Sequence, residues 1–216
     1  MKRSLIGLAL ISMAFAMPAL AADLGGVTAS GEAGYSYNYV FRGDRTVDGN
    51  AATGTLRLGS RGVFAEGFAL ASIDGFNDLE LAEYRATGGY EHTINNVNIA
   101  VGNTYYFREN APNSNEAWAR IGLDAQHVKP FAVAHVDTDT RAVWSEVGVS
   151  ADVAGFFDVG LSYAHAFNSG DDGPALYAGW ISRDCTLGGF TVKPSVEYQR
   201  QPGGDDHTIA SVSLLF

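Results

Sequence analysis

Charged residues in this sequence stand in stretches where polar and apolar side chains alternate. Arg57 lies between Leu56 and Leu58, and Glu197 follows Val196. Guanidinium and carboxylate groups that share a confined, low-dielectric space either pair with one another or create a field that selects ions of one sign. The chemistry that these residues offer is therefore electrostatic, and its outcome depends on which element positions them.

Catalysis by an activated nucleophile would need a histidine that is oriented by an acid. By parity His165 shares the apolar side of its segment with Tyr163, whereas Asp158 falls on the opposite side. The single cysteine, Cys185, excludes a disulfide within the chain, and no spacing of ligand-type residues indicates a metal site. We expect no enzymatic activity, no cofactor and no metal.

The amino terminus, "MKRSLIGLALISMAFAMPALAAD", begins with the basic residues Lys2 and Arg3 and continues with an apolar run. The small-residue pattern that ends at Ala21 is typical of a cleavage site. We predict that residues 1–21 are a cleaved secretory signal peptide and that residues 22–216 form one exported domain.

The composition narrows the class of protein. Hydrophobic residues make up 46% of the chain and 26 residues are glycine, but no apolar stretch after the predicted signal peptide is long enough for a membrane helix. The formal net charge of -10 disfavours nucleic acid as a partner. A secreted all-β protein or a membrane barrel with alternating apolar residues remains.

The segment "GVTASGEAGYSYNYVFRG" shows the period. Its odd positions are apolar or aromatic from Val27 to Phe41, and its even positions are small or polar, which is the period of a strand. About twelve such segments follow one another, a number typical of outer-membrane barrels. They start near residues 27, 52, 63, 80, 97, 116, 130, 141, 156, 175, 190 and 207.

The connections alternate in kind. Polar, often acidic loops such as "RGDRTVDGN" and "NSGDDGP" follow the odd segments, and tight turns such as "SRG" and "VAG" follow the even ones. This asymmetry is typical of a transmembrane antiparallel up-and-down β-barrel, an all-β fold. We predict about 12 strands; ten are the alternative, because segments 3, 7 and 10 are apolar on both faces. A soluble β-sandwich is the other fold that alternates.

The final segment, "HTIASVSLLF", places Val212, Leu214 and Phe216 on one apolar face. On a closed barrel that face would meet lipid, and the last strand would pair with the first. This ending resembles the assembly signal of bacterial outer-membrane proteins. The resemblance implies insertion by the barrel-assembly machinery.

A second resemblance lies near the start of the predicted barrel. The stretch "YSYNYVFRG", Tyr35–Gly43, is similar to the Tyr-Val-Phe-Arg-Gly signature of the TorF-like porin family of proteobacterial outer-membrane β-barrels. In that family a hydrophobic residue and Ser-Gln usually follow, whereas Asp44, Arg45 and Thr46 stand here. The resemblance implies a small porin-like barrel and indicates no substrate.

With the apolar side facing lipid, the charged residues of the strands face the lumen, since an Arg or Lys at mid-depth on the lipid face would cost about 2–4 kcal/mol. We predict a constriction in which a basic side made by Arg57, Arg85 and Arg120 faces an acidic side made by Glu146 and Glu197. The alternative is direct pairing of the same residues. The pore-lining candidates are Arg57, Arg85, Arg120, Glu146, Glu197, Lys193, Glu32 and Glu83.

These patterns favour a passive channel for small hydrophilic solutes in the outer membrane of a Gram-negative bacterium, in contact with outer-membrane lipid and lipopolysaccharide. A structural or surface-recognition barrel whose lumen is closed by salt bridges is the first alternative. An outer-membrane barrel enzyme that acts on lipid is the second.

Overall fold

A computed structural model describes residues 26–42, 44–74, 78–108, 112–167, 175–187 and 190–216. The predicted signal peptide, residues 1–21, lies outside the described residues. Within them, no helix has the length and apolarity needed to cross a membrane.

Within the described ranges, twelve antiparallel strands form one sheet that closes on itself. Each strand pairs with the next along the chain, and the last pairs with the first. The strands are β1 (Thr28–Phe41), β2 (Asp44–Ser60), β3 (Val63–Asp74), β4 (Asp78–Ile94), β5 (Val97–Arg108), β6 (Ser114–Leu123), β7 (Val128–Asp137), β8 (Val143–Val153), β9 (Phe157–Phe167), β10 (Leu176–Ser182, continued by Cys185–Leu187), β11 (Phe190–Arg200) and β12 (Asp206–Leu215).

The predicted barrel is therefore confirmed with twelve strands, and the alternative of ten strands is wrong. The three segments that are apolar on both faces do form strands, β3, β7 and β10. The two parts of β10 pair with β11 in one continuous register, with Ser182 opposite Ser195 and Cys185 opposite Val192. The interruption between them lies opposite Pro194, which has no amide hydrogen to donate to the ladder.

Tight turns join the strands at one end of the barrel. Arg61 and Gly62 form the turn between β2 and β3 with φ values of 50° and 87°, the left-handed conformation that two-residue hairpin turns require. We call this end of the barrel the turn end. The opposite end, where the connections after odd-numbered strands lie, is the loop end.

The alternation of the sequence separates the two faces of the sheet. Large apolar side chains cover the outer face, where they remain exposed on the isolated chain. Such a face is suited to contact with hydrocarbon. Its members include Tyr35, Tyr37, Leu58, Val101, Tyr105, Ile121, Val147, Leu161, Tyr163, Val196, Tyr198 and Val212.

A bulge in β1 reverses this alternation. The register with β2 shifts on both sides of Tyr39, and the preceding Asn38 has a positive φ of 60° and accepts a hydrogen bond from Gly49 N at 3.1 Å. One extra residue moves the following side chains to the other face. The sequence places Tyr39 and Phe41 on the lipid face, and that prediction is wrong: Phe41 lines the central cavity, and the Tyr39 ring packs 6.2 Å from Phe68.

The connection between β1 and β2 is also shorter than the sequence indicates. The segment "RGDRTVDGN" is predicted as a polar loop before a strand that starts near residue 52. Instead β2 begins at Asp44, which pairs with Phe41. The β1–β2 hairpin is therefore long, and its far end carries apolar residues, including the buried Val40 and Val47.

The barrel closes where β1 and β12 meet. β12 pairs with β1 from Glu32 opposite Leu215 to Tyr37 opposite Ala210, and Gly31 and Phe216 exchange two backbone hydrogen bonds of 2.8 and 3.0 Å. The Phe216 ring lies over Gly31, where a Cβ atom would overlap it. The absence of a side chain at Gly31 therefore leaves room for the Phe216 ring.

Substitution of Gly31 tests the packing of the Phe216 ring against this glycine. We expect Gly31→Val to lower the free energy of unfolding by about 1–3 kcal/mol, because the added methyl groups displace the Phe216 ring. The matched control is Gly67→Val, on the same outer face, where a Cβ would meet nothing within 4 Å. Urea unfolding in detergent micelles measures both. Equal stability of the two variants would contradict this packing role.

Candidate functional site

The lumen contains a central cavity of about 630 Å³. Its wall combines charged and polar side chains with aromatic rings. The charged residues in its lining are Arg42, Arg57, Glu66, Arg85, Glu91, Arg120, Glu146 and Glu197. A cavity with so many ionisable groups is either a polar passage or a core in which the charges pair with one another. The partners of each charged side chain distinguish these alternatives.

Residues 39–42, which we call the hairpin tip, reach across the lumen. The Arg42 guanidinium donates two hydrogen bonds to the Glu116 carboxylate on β6, at 2.7 and 2.8 Å. It also lies 5.5 Å from the centre of the Trp144 ring on β8. Because β6 and β8 lie on the side of a twelve-stranded barrel opposite β1, the hairpin tip narrows the lumen near the loop end.

Glu116 is the anchor of the hairpin tip. Its side chain is 8% exposed, and the Tyr106 hydroxyl donates a further hydrogen bond to it at 3.0 Å. The His135 Nδ1 atom lies 3.3 Å from the same carboxylate. Paired, bidentate contacts of this kind hold geometry better than a single point contact.

A second buried carboxylate joins two arginines. Glu83 has a side chain that is only 3% exposed, and it accepts hydrogen bonds from Arg85 Nε at 2.6 Å and Arg108 Nε at 2.8 Å. The Arg85 guanidinium also lies 4.2 Å from the centre of the Phe41 ring. This cluster therefore packs directly under the hairpin tip.

Arg57, another arginine of the predicted basic side, is compensated within its own wall. Arg57 on β2 forms ion pairs with Glu91 on β4 at 2.6 Å and with Glu66 on the adjacent β3 at 3.7 Å. Its guanidinium carbon lies 3.7 Å from the centre of the Phe64 ring. Arg57 and Arg85 thus face neighbouring glutamates, so the predicted separation into a basic and an acidic side holds only in part.

Three of the predicted residues carry charge without such pairing. Arg120, Glu146 and Glu197 all line the central cavity, and none of them forms an ion pair with another described residue. Glu146 and Glu197 are near enough to interact electrostatically. The wall from β8 to β11 therefore presents uncompensated negative charge to the lumen.

The remaining predicted residues lie outside the lining of the central cavity. Glu83 is buried beneath it, and the half-buried Glu32 on β1 is opposite Thr55 and Leu215. Lys193 on β11 lies 3.7 Å from Asp184 near the turn end. On the outer face, Val212 and Leu214 extend along β12 toward Phe216.

All three tryptophans of the chain line the central cavity rather than the outer face. The rings of Trp118, Phe131 and Trp180 lie over glycines on the adjacent strands, at positions that a Cβ on Gly102, Gly148 or Gly160 would overlap. Such rings support strands that glycine would otherwise weaken.

Several of these residues could not be identified from sequence alone. Arg42 faces the lumen only because the bulge at Asn38 turns the hairpin tip inward. Glu66 lies on β3, where apolar residues on both faces hide the inward parity. Glu116 does follow the parity of Arg120 on β6, and that signal could have located it.

The histidine considered for catalysis and the possible metal ligands can be located among the described residues. His165 lies on the outer face, 4.4 Å from the Phe167 ring centre. Across the part of the chain that the structure describes, no group of three His, Cys, Asp or Glu residues could hold a metal ion.

Replacement of the Glu83 carboxylate tests the buried cluster. We expect Glu83→Gln to lower the free energy of unfolding by about 2 kcal/mol, since two partly buried guanidinium groups would lose their counter-charge. Glu80→Gln, at an exposed position on the same strand, is the control and should leave stability unchanged. Urea unfolding measured by tryptophan fluorescence decides, and an unaltered midpoint for Glu83→Gln would contradict the role of this residue.

Neither a protein-family model nor a curated protein matches this sequence. Among solved structures, the chain is similar to the KdgM porin, with a TM-score of 0.65 and 9% identity over 87% of this chain and 98% of that chain. The NanC porin gives a TM-score of 0.53 and 10% identity over 87% and 98% of the two chains. At these identities the likeness shows that the chain has the fold of these porin barrels, and the resemblance to the TorF-like family stays a prediction.

Proposed function

We propose that this protein is a passive channel for small hydrophilic solutes in a bacterial outer membrane, with the loop end outward. The observation that carries the proposal is the charged lining of the central cavity, inside a barrel whose outer face is apolar. Side chains fill the lumen of an eight-stranded barrel, whereas twelve strands enclose a wider space. The porin fold supports the same function.

A second cavity extends the passage toward the turn end. It has a volume of about 550 Å³ and includes polar residues such as Thr93, Asn98 and Lys129 in its lining. The two cavities share five lining residues, so they adjoin inside the barrel. These residues are Glu91, Ala100, Arg120, Phe131 and Trp180.

The charge balance of the wall favours cations. Glutamates of the same wall pair with Arg57 and Arg85. Among the lining residues that form no ion pair with a described residue, the two carboxylates of Glu146 and Glu197 outnumber the one guanidinium of Arg120. Uncompensated carboxylates in a narrow, low-dielectric passage raise the local concentration of cations. We therefore assign a preference for cations, and not the preference for anions that unpaired arginines would produce.

Ion selectivity provides the test. In planar bilayers under a salt gradient, we expect stable single-channel steps and a reversal potential on the side of cation selectivity. The double variant Glu146→Gln and Glu197→Gln should move that potential toward zero. Glu80→Gln provides a control for the removal of a carboxylate elsewhere. The selectivity assignment fails if the double variant keeps the reversal potential of the wild-type protein.

One observation favours the alternative of a closed structural or surface-recognition barrel. The Arg42–Glu116 contact links the two sides of the lumen near the loop end. If the Arg42–Glu116 contact only narrows the passage, its removal should widen the passage. If the contact closes the lumen fully, the wild-type protein should carry no current.

We therefore expect Arg42→Ala to raise single-channel conductance about twofold or more, because the hairpin tip loses its anchor and a charged side chain leaves the narrow region. Arg200→Ala, at an exposed position near the loop end of β11, is the control. Silence of the wild-type protein with current in Arg42→Ala would favour the closed barrel over the open channel.

The proposed setting includes export, assembly and lipid contact. We infer that residues 1–21 direct export, that the barrel-assembly machinery inserts the protein through Val212, Leu214 and Phe216, and that lipid and lipopolysaccharide surround the apolar outer face. The exchange of backbone hydrogen bonds between Phe216 and Gly31 supports a role for the last strand in closure.

A further inference from the structure

Gln199 on β11 is a buried residue whose side-chain carbonyl oxygen accepts no hydrogen bond from the described residues. The residue is 7% exposed, and its Nε2 donates a hydrogen bond to Glu197 Oε1 at 2.8 Å. Its Oε1 atom has no hydrogen-bond partner among the described residues. Both residues line the central cavity. Because a buried carbonyl oxygen without a donor costs free energy, this position suits a donor that arrives from the lumen.

The charges around Gln199 determine the sign of that donor. Glu197 and Glu146 line the same cavity and interact electrostatically, and neither forms an ion pair with a described cation. Hydrogen bonds in which a cationic N–H group donates to a carboxylate are stronger than neutral ones. A ligand that combines positive charge with N–H donors would therefore satisfy both the carboxylates and the free amide oxygen.

An aromatic ring lies further along the same wall. Trp180 on β10 is opposite Glu197 in the strand register, and its ring lies over Gly160 of β9, on the side of β10 away from β11, where a Cβ would overlap it. Aromatic faces attract cations and pack against apolar groups. The neighbouring Phe131 ring, 6.5 Å from Trp180, already has the Arg120 guanidinium 5.4 Å from its centre.

We propose that Glu197, Gln199 and Trp180, with Glu146 nearby, form a binding site for protonated organic amines. The ammonium group donates hydrogen bonds to Gln199 Oε1 and to the Glu197 carboxylate, and the hydrocarbon part lies against the Trp180 ring. The inference rests on the proposed function, since it names a class of solute that the channel would take. A carboxylate solute would be repelled, and an alkali ion would leave the aromatic face unused.

Block of potassium current tests the site with three matched probes. They are n-butylammonium, butyltrimethylammonium, which keeps the charge but has no N–H donor, and butyrate, which reverses the charge. We expect n-butylammonium to block wild-type channels at the lowest concentration and butyrate to have no effect. Glu197→Gln should raise the half-blocking concentration of n-butylammonium about tenfold, and Trp180→Leu about fivefold. Glu80→Gln should leave it unchanged.

Each contrary outcome overturns a defined part of the account. Equal block in wild type, Glu197→Gln and Trp180→Leu would overturn the site, and equal block by the two cations would overturn the role of Gln199. If bilayers show no current, calorimetric titration of the folded protein in detergent with the same probes replaces the block. Binding without current would contradict the proposed channel but support the site, and absence of n-butylammonium binding would contradict the site whether or not current is present.

Discussion

The structure depends on the need to pair every backbone amide within the sheet. Hydrocarbon offers no hydrogen-bond partner, so a sheet that crosses a membrane must have no open edge. Here the pairing of β1 with β12 removes the edge. Closure in turn requires strict alternation, and alternation directs charged strand residues such as Arg57, Arg85 and Glu146 into one narrow lumen. The electrostatics of the lumen are therefore a consequence of how the backbone is satisfied.

The period of the sequence predicts the barrel, its strand number and the inward face of most strands. It does not predict the hairpin tip. A bulge of one residue at Asn38 leaves no mark in composition, since asparagine occurs both in strands and in left-handed turns. Its effect is large, because it moves Tyr39 and Phe41 to the inner face and directs Arg42 toward Glu116 on the far wall.

The ion-pair partners of the charged side chains also cannot be predicted from the sequence. Parity places Arg57, Arg85 and Arg120 on one face, but whether an arginine meets a glutamate depends on register between strands, which parity does not specify. The structure pairs the first two with glutamates nearby and leaves Arg120 without such a partner among the described residues. The packing of aromatic rings over glycines of the adjacent strand depends on register in the same way.

The hairpin tip crosses the lumen to β6, and the proximity of residues 42 and 116 provides the test of this geometry. With Cys185→Ser as background, Arg42→Cys and Glu116→Cys can be combined and treated with a short bifunctional thiol reagent in assembled protein. The account predicts an efficient intramolecular crosslink, and no crosslink when Asp139→Cys, in the exposed loop between β7 and β8, replaces Glu116→Cys. Equal crosslinking of the two pairs, or none between positions 42 and 116, would contradict it.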